Sequence, residues 1–483
     1  MIKTIAKWSN WRIAGLLLFF LLLVSLILRW QWSFAGLYGQ DAHEYLRYTK
    51  SLQAWLGGGG HPGEFFWPLS YPIFGALLSS LSPFSTANSL QVISLLAHLS
   101  ASLLLIRLLR AQQARTGFYW VILAYFLSPY ALRSGFLVMS DALSVLGVVG
   151  CYFFYLKPRG AGAQLRLIGL FCSAALAIST RYVAFLLVAG PVLHQFVFML
   201  HRKNWQALLI SFFTSLVFFL PHFILRWEQP FGFLQHQFMG NWSFSNSWQN
   251  QFTSPTGQFQ YRFPNLVYSF FHWFHPAFLL LGLLFLPLVR YWWPKTMPHR
   301  VLLLSLIGYS IFLAGIPFQN QRFLLPALPL VVILLYPAVE KLVSYRNRLP
   351  NWMSPVILLS VGLLQMGLFA YTLQPLIATN QVEQQLAERL QHYPDHQLYT
   401  FYYDLALQTY DVPQPIVNIW QAQEVTCQKD ALVLFHPTQF NEQWQGHQLM
   451  QNWTKLQEDC GLEVLETMPQ GWMLYRIKGT MDE

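Results

Sequence analysis

The run IAGLLLFFLLLVSLIL, residues 13–28, is followed closely by the polar stretch QDAHEYLRY, residues 40–48. The run approaches the roughly 20 apolar residues that a helix needs to cross the hydrocarbon core of a bilayer. Similar runs recur as far as Leu373, and 54% of all residues are hydrophobic whereas 10% are charged. An ordinary soluble domain has about 25% charged residues. The sequence therefore excludes a soluble globule and predicts a mainly α, polytopic membrane protein.

The apolar runs predict eleven transmembrane helices. They are Ile13–Leu28, Ser89–Ile106, Gly117–Leu132, Phe136–Leu156, Leu165–Ser179, Tyr182–Leu200, Trp205–Leu225, Val267–Leu288, Val301–Phe318, Phe323–Val339 and Trp352–Leu373. The stretch Tyr71–Phe84 is excluded, because its length is typical of an interfacial or re-entrant segment. With that choice every Lys/Arg cluster between the runs falls on one side, which the positive-inside rule makes cytoplasmic. We expect a multi-pass protein of the cell membrane, the inner membrane if the cell is Gram-negative, with a cytoplasmic N-terminus.

The C-terminal region has the opposite charge. Residues 376–483 carry 5 Lys+Arg and 14 Asp+Glu, whereas the preceding residues carry 25 and 6. We predict a transmembrane catalytic domain over residues 1–375, whose first outer loop, residues 29–88, contains juxtamembrane helices. Residues 376–483 are expected to form a small extracytoplasmic α/β domain.

Short strands between helical patterns support that α/β prediction. The strand-like segments are Gln397–Phe401, Ala431–Phe435 and Trp472–Ile477. Cys427 and Cys460 share this region, and a disulfide between them is one option in an oxidising compartment.

Acidic residues are scarce before this region, and five of the six fall on the side predicted to face outward. The six are Asp41, Glu44, Glu64, Asp141, Glu228 and Glu340. Asp41 and Glu44 are three positions apart, so a short helix would present both on one face. This pair is the candidate catalytic site, with Asp41 as the preferred general base.

Isolated arginines occupy outward helix ends at Arg133, Arg181 and Arg322. Each departs from the charge rule. Ionisable residues at membrane depth are costly and are functional candidates, although an arginine that extends to the interface is the alternative. Three on one side indicate that at least one binds an anion.

The sequence has no Gly-rich phosphate loop, HExxH motif or CxxC pair, so nucleotide hydrolysis and a recognisable zinc site lack support. The net charge of +10 could suggest nucleic-acid binding. The positive charges lie in clusters between apolar runs, however, and are explained as topology signals. We expect no nucleic-acid partner.

Several of these stretches resemble the GT-C superfamily of membrane glycosyltransferases. The resemblance is strongest to dolichyl-phosphate-mannose protein mannosyltransferases and bacterial lipid A aminoarabinose transferases. The matching stretches are Asp41/Glu44 after the first helix, HPGEFFWPLSYP at residues 61–72, SDAL at 140–143, TRY at 180–182 and RFLLPALP at 322–329. They cover roughly the first 340 residues. The chain departs from some relatives because Asp41 and Glu44 are not adjacent and because the juxtamembrane segment lacks a lysine.

The resemblance implies a hexosyl- or pentosyltransferase of the cell envelope, inverting and dependent on a polyprenyl-phosphate-linked sugar. Its acceptor would be a lipid, a glycan or a protein on the non-cytoplasmic face. The implied ligands of the donor phosphate are Arg181, Arg322 and Arg133. The implied substrate-binding residues are His61, Glu64, Tyr71 and Asp141. No cofactor is certain; Asp41 and Glu44 could hold a divalent metal, but hard cations usually need more oxygen ligands.

Two other functions stay open at this stage. An O-antigen ligase or polymerase would share the location and donor class, with its key residues in the loop Glu228–Asn265. A lipid-linked sugar flippase or transporter would also be basic and multi-spanning. It should place ionisable groups along a midplane path and often has internal repeats, and the sequence shows neither.

Overall fold

The computed structural model describes residues 10–111, 117–157, 162–228, 232, 240–254, 257–344, 353–401, 403–419, 425–444 and 448–480. The chain divides into two compact units. The first comprises Met1–Ala35, Thr49–Asn250 and Tyr261–Leu373, and the second comprises Gly36–Tyr48, Gln251–Gln260 and Gln374–Glu483. The second unit thus contains a short part of the predicted first outer loop.

Helices dominate the described residues. They are α1 (Asn10–Trp32), α2 (Gly39–Leu56), α3 (Ser70–Leu81), α4 (Thr86–Ala111), α5 (Gly117–Val121), α6 (Pro129–Phe136), α7 (Asp141–Leu156), α8 (Ala163–Thr180), α9 (Phe185–His201), α10 (Trp205–Leu216), α11 (Leu220–Leu225), α12 (Asn265–Phe271), α13 (Pro276–Leu279), α14 (Val289–Trp292), α15 (Met297–Ala314), α16 (Leu328–Ser344), α17 (Met353–Leu390), α18 (Asp404–Thr409), α19 (Pro437–Trp444) and α20 (Gln448–Asp459). A π-helical turn spans Ile122–Phe126, and 3-10 turns span Tyr182–Ala184, Phe244–Trp248, His272–Phe274, Gly282–Leu288, Gln321–Ala327 and Pro469–Gly471.

Seven helices in the described ranges are long and apolar enough to cross a membrane. They are Trp11–Trp32, Thr86–Ala111, Ala163–Thr180, Tyr182–His201, Met297–Ala314, Gln321–Val343 and Pro355–Leu390. The pair Pro129–Phe136 and Asp141–Leu156, bent by 117°, raises the number to eight if it is one broken span. The polytopic, mainly α class is confirmed, and the count of eleven spans is not.

The difference in the count has a structural reason. The run Val267–Leu288, predicted as one span, is divided into α12, α13 and two 3-10 turns. Pro276 begins α13, and Pro287 lies inside the second turn. Proline lacks the amide hydrogen that a helix interior needs and clashes with the preceding turn. Hydropathy alone does not register such breaks.

Close backbone contact joins α7 to α8 in the first unit. A Cβ at Gly147 would lie 2.6 Å from the backbone nitrogen of Ala177, and one at Gly150 would lie 2.6 Å from Ser173 Oγ. Small residues permit this approach between membrane helices. Larger side chains at the two glycines would push the helices apart, so the glycines help to fix where α7 begins relative to where α8 ends.

The second unit contains a five-stranded sheet of order β4-β3-β5-β7-β6. Its strands are β3 (Leu398–Thr400), β4 (Ile416–Asn418), β5 (Leu432–Phe435), β6 (Cys460–Thr467) and β7 (Met473–Thr480). β3 pairs in parallel with β4 and β5, whereas β7 pairs antiparallel with β5 and β6. A separate antiparallel hairpin joins β1 (Gln251–Ser254) to β2 (Gly257–Gln260). The predicted small C-terminal sheet is confirmed.

Aromatic packing and a disulfide stabilise this sheet. The rings of Phe435 and Trp453 are stacked with centroids 3.8 Å apart, and Phe401 and Trp472 are fully buried nearby in the same core cluster. Cys427 and Cys460 form a disulfide with a Cα–Cα distance of 5.4 Å. The bridge ties the start of β6 to the chain before β5.

Candidate functional site

Asp141 lies between two arginines in the first unit, of which Arg322 is buried and Arg181 is half-buried. Arg322 Nε donates a hydrogen bond of 2.9 Å to Asp141 Oδ2, and Arg181 Nη1 lies 2.7 Å from Asp141 Oδ1. The second contact is an ion pair by distance, and among the described residues Oδ1 accepts no hydrogen bond of good angle. Exposed fractions are 2% for the Asp141 side chain, 12% for Arg181 and 9% for Arg322. We call these three residues the arginine cluster.

Each member of the arginine cluster lies where a helix begins or ends. Asp141 is the first residue of α7, just after the sharp bend from α6. Arg181 caps the C-terminus of α8 in an extended conformation, and its Nη1 donates to the backbone oxygen of Arg322 at 3.2 Å. Arg322 is in the 3-10 turn Gln321–Ala327, whose start is capped by the Asn320 side chain. The breaks in the helices thus bring charged side chains from three distant parts of the sequence together.

The charges of the arginine cluster do not balance. Two guanidiniums face one carboxylate, and arginine stays protonated in proteins. Arg133 adds a further favourable Coulomb interaction with Asp141. Buried charge is costly unless it is paired, and guanidinium groups suit the geometry of phosphate. The cluster is therefore a candidate site for an anion.

Arg133, the third predicted phosphate ligand, has additional partners. Its Nη1 donates to the backbone oxygen of Thr372 at 2.9 Å, and its guanidinium lies 4.7 Å from the ring centroid of Tyr130. The side chain is 9% exposed. Arg133 thus contributes to the positive field at Asp141 while it also binds to α17.

The juxtamembrane segment holds three predicted substrate-binding residues in different settings. His61 and Glu64 are exposed. Tyr71 is completely buried, and its hydroxyl donates to the backbone oxygen of Leu90 at 3.0 Å and contacts Ser94 Oγ at 2.9 Å. The structure therefore places Tyr71 in the packing of α3 against α4.

Arg226 fixes the same segment and was missed by the sequence analysis. Its Nη1 donates to the Tyr182 hydroxyl at 2.8 Å, and its Nη2 donates to the backbone oxygen of Trp67 at 2.8 Å. A second link joins Ser70 Oγ to Ser179 Oγ at 2.7 Å. Arg226 follows an apolar run at a predicted outward end, so the signal that selected the other arginines could have found it.

The predicted catalytic acids lie in the second unit, at the start of α2. Asp41 is in the first turn and is half-buried. Both oxygens of Glu44 accept hydrogen bonds from Arg47, at 2.6 and 2.7 Å. The hydrogen bond to Glu44 raises the pKa of Arg47 above its usual value. Both carboxylate oxygens of Glu44 are thereby engaged.

The same geometry bears on a divalent metal. Among the described residues, no group of three or more His, Cys, Asp and Glu side chains could hold a metal ion. Both Glu44 oxygens are bound by Arg47. The Asp41/Glu44 pair therefore does not fit a metal site of the kind considered from the sequence.

Sequence analysis also missed a buried pair beside Asp41. His43 Nε2 lies 3.1 Å from Glu383 Oε2, and both side chains are at most 1% exposed. Glu383 lies beyond the predicted end of the membrane domain and was treated as part of a separate domain. A buried carboxylate so close in space to the first outer loop could not be inferred from spacing.

The fold defines the class of this chain as a multi-pass membrane protein with a small C-terminal sheet. The chain is similar to ArnT from Cupriavidus metallidurans, a lipid A aminoarabinose transferase. The crystal structure of ArnT bound to undecaprenyl phosphate has a TM-score of 0.58 at 14% identity, covering 96% of this chain and 97% of that one. The crystal structure of ArnT in the apo state has a TM-score of 0.60 at 15% identity, and the match covers 94% of this chain and 97% of that one.

These matches confirm the resemblance to the GT-C superfamily as a shared fold. No protein-family profile and no curated protein sequence matches the chain. The roles of individual residues must therefore be argued from their own geometry.

Proposed function

We propose that this protein is a membrane glycosyltransferase that moves a sugar from a polyprenyl-phosphate-linked donor to an acceptor on the non-cytoplasmic face. The observation that carries the proposal is the charge surplus of the arginine cluster, in which two largely shielded guanidiniums share the single carboxylate of Asp141. A phosphate would supply the missing negative charge. The shared fold with ArnT, whose structure contains undecaprenyl phosphate, supports the choice of a lipid phosphate.

The proposed donor chemistry follows from the leaving group. When the bond between the sugar C1 and the phosphate oxygen breaks, its electron pair stays on the phosphate. Arg181 and Arg322 stabilise that charge, and stabilisation of charge that develops in the transition state is often the largest catalytic contribution. The leaving phosphate needs no proton, so a second carboxylic acid, as in glycoside hydrolysis, is unnecessary.

Asp41 is the proposed general base. The acceptor hydroxyl or amine attacks C1 and gives its proton to the Asp41 carboxylate, so the products are the glycosylated acceptor and the polyprenyl phosphate. General base catalysis contributes roughly 10²–10⁴ in rate. Attack opposite the leaving phosphate inverts the configuration at C1.

The proposed orientation places the second unit outside the cytoplasm. The Cys427–Cys460 bridge supports this, because disulfides persist in oxidising compartments and are rare in the cytosol. Free thiols at Cys151 and Cys172 in the first unit provide an internal comparison. Alkylation of intact cells without reductant should leave Cys427 and Cys460 unmodified, and full modification of both would place this unit in the cytoplasm.

A transfer assay tests the function itself. Purified full-length protein is incubated with a panel of synthetic undecaprenyl-phosphate pentoses and hexoses and with membrane extract as the source of acceptor. We expect release of undecaprenyl phosphate from at least one donor and loss of that release in Arg322→Ala. Arg262→Ala, which removes an exposed arginine of the first unit, is the matched control. Equal turnover of nucleotide sugars, or no effect of Arg322→Ala, would contradict the proposal.

A further inference from the structure

Glu383 holds the first turn of α2 at two points. Its Oε1 accepts a hydrogen bond of 2.8 Å from the backbone nitrogen of Gly39, and its Oε2 lies 3.1 Å from His43 Nε2. Gly39 is the first residue of α2, and its nitrogen has no acceptor within the helix. One carboxylate therefore binds the helix start and a side chain one turn later, with Asp41 between them.

A second contact fixes the same turn from another element. Gln40 Nε2 donates to Asp404 Oδ1 at 2.7 Å, and the same oxygen accepts from Asn418 Nδ2 at 2.9 Å. Asp404 begins α18 and Asn418 ends β4. The residues on both sides of Asp41 are thus bound by α17 and α18, and β4 binds the Asp404 side chain that holds Gln40.

The hydrogen bonds fix the orientation of the His43 ring. Its Nδ1 lies 3.1 Å from the Thr409 hydroxyl, which is also 2.8 Å from the backbone oxygen of Leu405. Its Nε2 faces Glu383 Oε2, the carboxylate oxygen that does not bind Gly39. Both ring nitrogens of His43 thus have a polar partner, one on α17 and one on α18.

Tyr410 is the aromatic neighbour of this pair. Its ring packs edge-on against His43 with centroids 5.8 Å apart. Burial, followed by the charge of Glu383, raises the pKa of Tyr410 to about 12. Tyr410 stays neutral and accepts a hydrogen bond of 2.7 Å from Asn380 Nδ2. Tyr410 therefore borders His43 and Glu383 without adding a charge to them.

A buried ionic pair of this kind contributes little net stability. Removing two charges from water costs several kcal/mol for each ion, and apolar replacements are often as stable. Directional contacts of this kind do, however, fix one register and rotation of a helix. Glu383 binds the residues on both sides of Asp41, the proposed base, so a fixed rotation of this helix would also fix the direction of the base.

We infer that Glu383 and His43 are positioning residues, through which the C-terminal part of the second unit, residues 374–483, sets the orientation of the helix turn that carries Asp41. The inference rests on the proposed role of Asp41 as general base. A small displacement of a catalytic group, of about 1 Å, can cost about 10²-fold in rate. Residues 374–483 are then required for turnover because Glu383 acts through Asp41, and Glu383 itself has no contact with the transferred sugar.

Glu383→Gln tests the inference, with Glu388→Gln as the matched control because Glu388 is exposed on the same helix. Turnover is measured with the undecaprenyl-phosphate sugar that wild-type protein uses fastest. We expect kcat to fall by about 10- to 100-fold in Glu383→Gln, with KM for the donor unchanged, and no change in Glu388→Gln. Hydrogen exchange of residues 36–48 should accelerate by about tenfold or more, as expected for loss of a charged hydrogen bond.

The double variant Asp41→Asn/Glu383→Gln separates this inference from the proposed function. If Glu383 acts through Asp41, the second substitution should add little to the first, because coupled residues are not additive. Wild-type kcat in Glu383→Gln, with Asp41→Asn inactive, would overturn the positioning role alone. Full activity of Asp41→Asn would instead overturn the base assignment. Glu383→Asp should restore part of kcat, since it retains the charge.

Discussion

The molecule has two buried ionic groups of different composition. In the arginine cluster, one carboxylate, Asp141, faces two guanidiniums. In the second unit, Glu383 faces one histidine, His43. Arginine cannot lose its proton in a protein, whereas histidine can. The first group therefore keeps a surplus charge that a ligand can neutralise, and the second is balanced and can relax if its partner is lost.

Loss of the carboxylate should have the largest effect in the arginine cluster. Asp141→Asn removes the carboxylate charge that both guanidiniums of the cluster face, and breaking a buried pair typically costs about 3–5 kcal/mol. We expect a loss of that size in the free energy of unfolding, measured by denaturant unfolding in detergent. Added undecaprenyl phosphate should recover part of it, since binding to the folded state stabilises it. Stability equal to wild type would show that the arginines are not desolvated.

Asp41→Asn should reduce transfer by roughly 10² or more, because the amide cannot accept the acceptor's proton. Binding of undecaprenyl phosphate should persist, which distinguishes this variant from those of the arginine cluster. Glu44→Gln is the internal comparison, and we expect a smaller effect because Glu44 is bound by Arg47. Normal transfer in Asp41→Asn with loss in Glu44→Gln would move the role to Glu44. Full activity in both would remove the base from this helix.

Glu383→Gln should destabilise the protein less than Asp141→Asn. A histidine side chain can be neutral whereas arginine cannot, so the cost is that of weakened hydrogen bonds, about 1–3 kcal/mol. The free energy of unfolding of the two variants, measured side by side, checks this order. The reverse order would remove the distinction between a surplus charge and a balanced pair.

An exposed ion pair provides the comparison for the two buried ionic groups. Arg476 Nη2 lies 2.7 Å from Glu463 Oε2 on the sheet surface. The hydrogen bond from Arg476, followed by the charge of Lys478, lowers the pKa of Glu463. Its stabilising contribution is present above the pKa of the unfolded state and is lost as the pH falls through the lower folded value. Because solvent screens the pair, Glu463→Gln should leave the melting temperature unchanged at pH 7.

Local patterns were sufficient to predict the fold class. Apolar runs and alternating segments predicted membrane helices and the strands β3, β5 and β7. The edge strands β4 and β6 were not predicted. The number of spans could not be obtained either, because residues such as Pro276 and Pro287 break apolar runs without lowering their hydropathy.

The candidate site was predicted residue by residue but not as an arrangement. Charged residues are rare in membrane segments, and this signal selected Asp141, Arg181 and Arg322 one by one. Their pairing depends on the bend before α7 and on the contact between α7 and α8, which are tertiary features. Glu383 carried no local signal, since it is one of many acids in the C-terminal region.

Binding of undecaprenyl phosphate to purified full-length protein tests the central claim most directly. Arg181→Ala and Arg322→Ala each leave Asp141 with the other arginine of the cluster and with the charge of Arg133, so both variants should fold. Removing one partner of a desolvated charge contact costs about 2–5 kcal/mol, and 2 kcal/mol corresponds to about 30-fold in Kd. The account predicts that both variants bind undecaprenyl phosphate at least about 30-fold more weakly, while Arg262→Ala binds as wild type does. Equal affinity in all four proteins would contradict it.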